Sequence, residues 1–216
     1  MISVKNKKAL IAFLTGTPIG TLGGLIGLGG AEFRLPVLLG IFKYSAYQAV
    51  SLNLAVSLIT IISSLIFRAP QISFNDLLSI AALIVSFIIG TMTGAYTGAV
   101  YAKYLPERFL HKVILLLLAL IGLLLIGETF FPIGTSRVIE IYSIKYHVLA
   151  IFIGFFIGGI SSLLGVAGGE LIIPSLVLIF GVDIVIAGTA SLIISIPTII
   201  TGLSKYAKQG LSLIHI

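Results

Sequence analysis

Gly27-Leu28-Gly29-Gly30-Ala31-Glu32-Phe33-Arg34-Leu35-Pro36 interrupts one apolar run, and Gly165-Val166-Ala167-Gly168-Gly169-Glu170-Leu171-Ile172-Ile173-Pro174 interrupts another in the same way. Glycine adopts positive φ without the steric penalty other residues meet, so each cluster predicts the end of one helix and a turn into the next. A carboxyl group stands near the start of the new helix. A proline lies within its first turns, where a missing N–H matters little. The apolar segments after the breaks, at about 33–42 and 171–181, are half the length of the roughly 20 residues that span a bilayer. Those at about 9–28, 46–67, 77–102, 110–131, 146–165 and 185–204 are long enough, or nearly so.

The two breaks hold equivalent places. A shift of 138 residues lays 20–68 over 158–206, 49 positions without a gap. Gly27/Gly165, Gly30/Gly168, Glu32/Glu170, Pro36/Pro174, Ser57/Ser195 and Thr60/Thr198 coincide. The chain therefore divides into a first transmembrane repeat, 1–135, and a second, 136–210. The second is expected to be incomplete, lacking the counterparts of about two helices. Leu211-Ser212-Leu213-Ile214-His215-Ile216 matches the translation of a transposase adapter end used in sequencing libraries and is read as a scar outside the fold.

Composition sets the class. Hydrophobic residues make up 58% and charged residues 9% of the chain, and mean hydropathy is +1.22. A soluble globule so apolar could not cover its surface with polar groups. This excludes a cytosolic enzyme, a nucleic-acid binder and a secreted disulfide scaffold. There is no cysteine, so no disulfide or thiolate chemistry. The basic start, Lys5, Lys7 and Lys8, leads into an apolar run too long for a signal peptide, so a retained first helix is expected.

Lys and Arg set the orientation. If every segment crosses, short ones included, and the N-terminus is cytoplasmic, Lys5, Lys7, Lys8, Lys43, Lys103, Arg108, Lys112, Lys205 and Lys208 fall inside. Arg68, Arg137 and Lys145 then fall outside. Treating the short segments as re-entrant dips puts the most basic loop on the wrong side. Each half then has five crossings, an odd number, so the second is inverted relative to the first. The expected fold is all-α: a polytopic transmembrane bundle of two inverted repeats with Gly-broken half-helices, an architecture of many secondary transporters.

A half-helix presents free N–H groups and the positive end of its dipole at its N-terminus, which suits an anion. Irregular backbone at membrane depth is tolerated only inside protein or along a water-filled cavity. The duplicated Gly-rich break followed by Pro-x-Leu, carried by Gly27, Gly29, Gly30 and Pro36 and again by Gly165, Gly168, Gly169 and Pro174, resembles the sulfite exporter TauE/SafE family. The resemblance implies a membrane permease for sulfite, sulfonates or related organic anions. The sequence departs from the family pattern at Ala31 and Ala167, where glycine is common, and in ending before the last part of the second half.

Candidate substrate-binding residues are Gly29, Gly30, Glu32, Arg34, Asn53, Gly168, Gly169, Glu170 and Ser191. Glu32 and Glu170 are candidate proton carriers, since intramembrane carboxyls are functional candidates by default; the alternative is that they satisfy helix-start N–H groups. Gly27, Pro36, Gly165 and Pro174 are the break or hinge positions. Arg34, whose repeat position holds Ile172, either pairs with Glu32 or holds an anionic group; the alternative is an interfacial arginine that snorkels. Asn53, Ser57 and Thr60 share a helix face and either line a pathway or bond between helices. Gly90, Gly94 and Gly98 form a packing stripe, and Pro197 is expected to kink its helix. His111 and His147, placed in loops, have no acidic partner at ligand spacing, so no metal or other cofactor is expected. The reading is a secondary permease in the plasma membrane, proton-coupled, with a small anion and the lipid bilayer as its partners and its oligomeric state open. The alternatives are an anion channel or a membrane enzyme acting on lipid-linked substrates.

Overall fold

A computed structural model describes residues 4–26, 30–68, 74–106 and 143–208, with Arg108, Phe109, Lys112, Leu116 and Ala119 besides. The helices are α1 (Val4–Ile26), α2 (Ala31–Gly40), α3 (Ala46–Arg68), α4 (Phe74–Ser79), α5 (Ala81–Ala102), α6 (Ile144–Leu164), α7 (Gly169–Pro174, prolonged by a π-helical turn over Ser175–Ile179) and α8 (Ile184–Lys208). No strand occurs among the described residues. The segment 110–131 lies almost wholly outside them.

Helices α3, α5, α6 and α8 are long and apolar enough to cross a membrane. Their outer faces carry large apolar side chains: Ile59, Phe67 and Phe152 are 68%, 82% and 61% exposed. Such surfaces suit hydrocarbon and not water, and the helix is the structure that satisfies its own backbone there. The chain is an integral membrane protein.

Contacts between named residues give the helix directions. Helices α3 and α8 are antiparallel: Tyr47 stacks obliquely on Tyr206 at one end, and Arg68 lies against Gly188 at the other. Helices α5 and α6 are parallel. Ser86 meets His147 near their starts, and further along Gly90, Gly94 and Gly98 lie against Ile151, Phe155 and Gly159. A Cβ on Gly94 would collide with the Phe155 carbonyl, and one on Gly158 with the Thr91 carbonyl. The glycines let the two backbones touch, as small residues do between membrane helices. Helix α8 runs parallel to α5, with Thr198 bonded to Thr91 at 2.7 Å and Lys205 over the Tyr96 ring at 4.7 Å. Short turns join the half-helices α2 and α7 to the long helices that follow them. Phe180, just past α7, packs edge-on against Tyr146 near the start of α6. Thus α7 carries the chain back along α6, and α8 starts again from the same end.

Two local expectations change. The run at 77–102 divides into α4 and α5 at Ile80, whose φ of −109° and ψ of 12° leave the helical region. No breaker residue stands there, so the break comes from packing: Ile80 is buried in the cluster with Leu83, Phe87 and Val182. Pro197 sits inside α8, where the Thr201 hydroxyl bonds the Pro197 carbonyl at 2.8 Å. His147 lies in the first turn of α6 and not in a loop; His111 is outside the described residues.

Candidate functional site

Helices α2 and α7 each follow a glycine in the left-handed region, Gly30 at φ 71° and Gly168 at φ 80°. Any side chain at those angles would be strained, and the sharp turn lets a new helix start at once. Neither start has a side-chain cap; the Gly168 carbonyl accepts from the Leu171 and Ile172 N–H groups, and the Gly30 carbonyl from the Arg34 N–H. Gly165 closes α6 at φ 68°, and its Cα packs so tightly on α3 that a Cβ would stand 2.5 Å from the Val50 carbonyl oxygen. The break of the second half is thus seated on the long helix of the first.

Helix α2 begins beside the middle of α3, where the Asn53 amide donates to the Ala31 carbonyl at 2.9 Å. Arg34, one turn on, lies across α3: its Nε donates to Asn53 Oδ1 at 3.0 Å and its Nη2 to Ser57 Oγ at 2.8 Å. Arginine has a rigid fork of donors, so two α3 side chains hold it in one orientation. The side chain is half-buried. Helix α7 begins beside α8, where the Ser191 hydroxyl lies 3.8 Å from the place a Cβ on Gly169 would take. Ser191 itself donates to the Gly188 carbonyl at 2.8 Å.

The two motif carboxyls meet. Glu32 is 9% and Glu170 3% exposed, and no donor reaches any of their four oxygens in full hydrogen-bond geometry. Their shared neighbour is each other, and Glu170 also interacts with the backbone amides of Gly168 and of its own residue. Arg34 interacts electrostatically with both. Pro36 and Pro174 stand four residues after these acids. Each proline lacks the N–H that would bond the Glu32 or Glu170 carbonyl in a regular helix. Helix α2 nevertheless continues through Pro36, so that residue is no break; Pro174 leads into the π-helical turn.

The structure thus brings together Gly30, Glu32, Arg34, Asn53, Gly168, Gly169 and Glu170, with Ser191 beside them. Gly27 and Gly29 lie outside the described residues. Thr60 turns to its own helix, bonding the Val56 carbonyl at 2.9 Å. Sequence reading did not single out Tyr206, fully buried with its hydroxyl on the Ser162 carbonyl at 2.9 Å. Its repeat position holds the exposed Arg68, so the duplication offered no signal. Among the described residues no group of three His, Cys, Asp or Glu side chains is placed to hold a metal ion.

With this geometry, similarity to known proteins becomes informative. The family described as "Sulfite exporter TauE/SafE" matches residues 2–125. The chain belongs to that family. It is 27% identical over 217 residues to "Probable membrane transporter protein YunE" of Bacillus subtilis (strain 168), covering 93% of this chain and 79% of the relative. A Methanocaldococcus jannaschii protein, also named a probable membrane transporter, is 30% identical over 173 residues, with 77% of this chain and 60% of that one covered. "Probable membrane transporter protein YdhB" of Bacillus subtilis (strain 168) is 30% identical over 115 residues, covering 53% of this chain and 45% of that protein. No solved structure matches. The TauE/SafE chain is therefore a membrane transporter and not an enzyme.

Proposed function

We propose that this protein is a secondary carrier of a small sulfur-containing or organic anion, such as sulfite or a sulfonate, coupled to protons. The observation that supports it is the meeting of Glu32, Glu170 and Arg34 where α2 and α7 begin. The anion sits near the uncapped helix starts, with Arg34 as its charged partner. An ionised carboxylate would repel it, so anion binding and proton binding favour one another. That is the coupling a symporter needs. The two repeats are related by inversion, a reading supported by the antiparallel packing of the equivalent helices α3 and α8, and they rock about the site to open it to either side. The protein lies in the plasma membrane with its N-terminus cytoplasmic, following the Lys and Arg distribution.

Purified full-length protein in liposomes is expected to move sulfite, methanesulfonate or acetate with saturable kinetics, faster when a proton gradient runs the same way. Flux that never saturates makes the protein a channel. No flux across the anion panel rejects the proposal.

A further inference from the structure

We infer that Glu32 and Glu170 act as one proton site, binding a single proton between them, rather than as two independent carriers. This rests on the carrier reading above and adds its stoichiometry. The two acids come from equivalent positions of the two halves and both are buried; among the described residues no donor reaches either in full hydrogen-bond geometry, the Gly168 and Glu170 amides lying nearest Glu170. Each faces the other. Two carboxylates side by side offer only acceptors. One proton repairs this: an O–H bond forms on one carboxyl, that O–H donates to the other, and no further reactant is needed. A second proton would leave both carboxyls neutral beside a charged Arg34.

The surroundings favour the first step alone. Arg34, on α2, is the charged side chain that faces both acids. From α3 come the neutral Asn53 and Ser57, and on α8 Ser191 lies beside Gly169. With one shared proton, the remaining negative charge is matched by Arg34, and the buried site is neutral overall. A neutral site is what a low-dielectric interior tolerates. Release of that proton leaves the site one negative charge in excess, which expels an anion. The duplication gives each half one carboxyl, so the site is shared between halves and a motion that parts the halves also parts the pair.

Charge balance supplies the test. Glu32→Gln leaves Glu170 with Arg34, the same net charge as the singly protonated pair; Glu170→Gln does the same with Glu32. A shared proton therefore requires that either single substitution abolish the pH dependence of anion flux, which in the wild type changes about tenfold per pH unit along its falling limb. Independent carriers would leave each single variant with a pH-dependent limb from the surviving acid, and that result overturns the inference. Infrared difference titration of the wild-type and variant proteins reads the same question without transport. The inference expects one protonated-carboxyl band in the wild type and its loss in both single variants. Two separable bands, or a band that survives either substitution, overturn it. If the wild type moves no anion but shows the single shared band, the carrier reading fails and the shared proton site stands. If a variant does not fold, the wild-type titration decides by itself: one proton taken up supports the pair, and two reject it.

Discussion

Arg34 shows how a residue can be conspicuous in a sequence and still need a fold to give it a role. Its repeat position holds Ile172, so the charge is confined to one half of a duplicated site. In the structure Asn53 and Ser57 hold the guanidinium from two sides, with its charge toward Glu32 and Glu170. A lysine keeps the charge but not the fork, so it cannot satisfy both α3 oxygens and remain aimed at the site. Arg34→Lys is therefore expected to raise the KM for anion flux about tenfold, roughly 1.4 kcal/mol of binding, with the protein still folded. Flux titrations in proteoliposomes check this. A KM unchanged within error would mean that Arg34 serves structure and not the anion.

The helices divide into those fitted by volume and those fitted by polar ties. Helices α5 and α6 meet backbone to backbone through Gly90, Gly94, Gly98 and Gly158, leaving no room for a methyl group. Gly94→Ala would drive a Cβ into the Phe155 carbonyl. It is expected to destabilise the protein by about 2 kcal/mol, within the range for overpacking. Gly20, in α1, meets nothing within 4 Å of a built Cβ. Gly20→Ala is expected to be neutral or to stabilise by about 0.5 kcal/mol, since alanine suits a helix interior better. Thermal unfolding of the two variants in one detergent separates the cases; equal midpoints would contradict the packing account. Helix α2 is fitted differently. It is held to α3 by Asn53 on the Ala31 carbonyl and by Arg34, polar bonds typically worth about 0.6 kcal/mol each in membranes.

At the scale of the molecule, the carrier reading requires the halves to move relative to one another. The α3–α8 contact is the place to test it, because each helix belongs to a different half. The Tyr47 and Tyr206 ring centroids are 4.9 Å apart, and the chain has no native cysteine to confuse a crosslink. Tyr47→Cys combined with Tyr206→Cys is expected to be bridged by a short bifunctional methanethiosulfonate reagent, since the two native rings meet across this contact. The bridged protein should lose most of its anion flux and regain it on reduction. Crosslinking that leaves flux intact would show that this end of the interface does not open during transport.

The sequence by itself determined the class, most of the described long helices and the location of the breaks. These rest on local physics: hydropathy over a span, glycine at positive φ, and a repeat visible at a fixed offset. Helices α3 and α8 fall within a few residues of the expected 46–67 and 185–204 for that reason. The packing stripe of Gly90, Gly94 and Gly98 was legible because small residues at helical spacing have one common use in a membrane. What only the tertiary structure decided is which separated groups meet. Spacing along one helix could suggest that Asn53 faces inward, but not that it grips Ala31 while receiving Arg34. Nor could it say that Glu32 and Glu170, 138 residues apart, come to face each other. The split at Ile80 and the burial of Tyr206 were hidden for the same reason. They depend on neighbours brought from distant parts of the chain, and no local pattern records them.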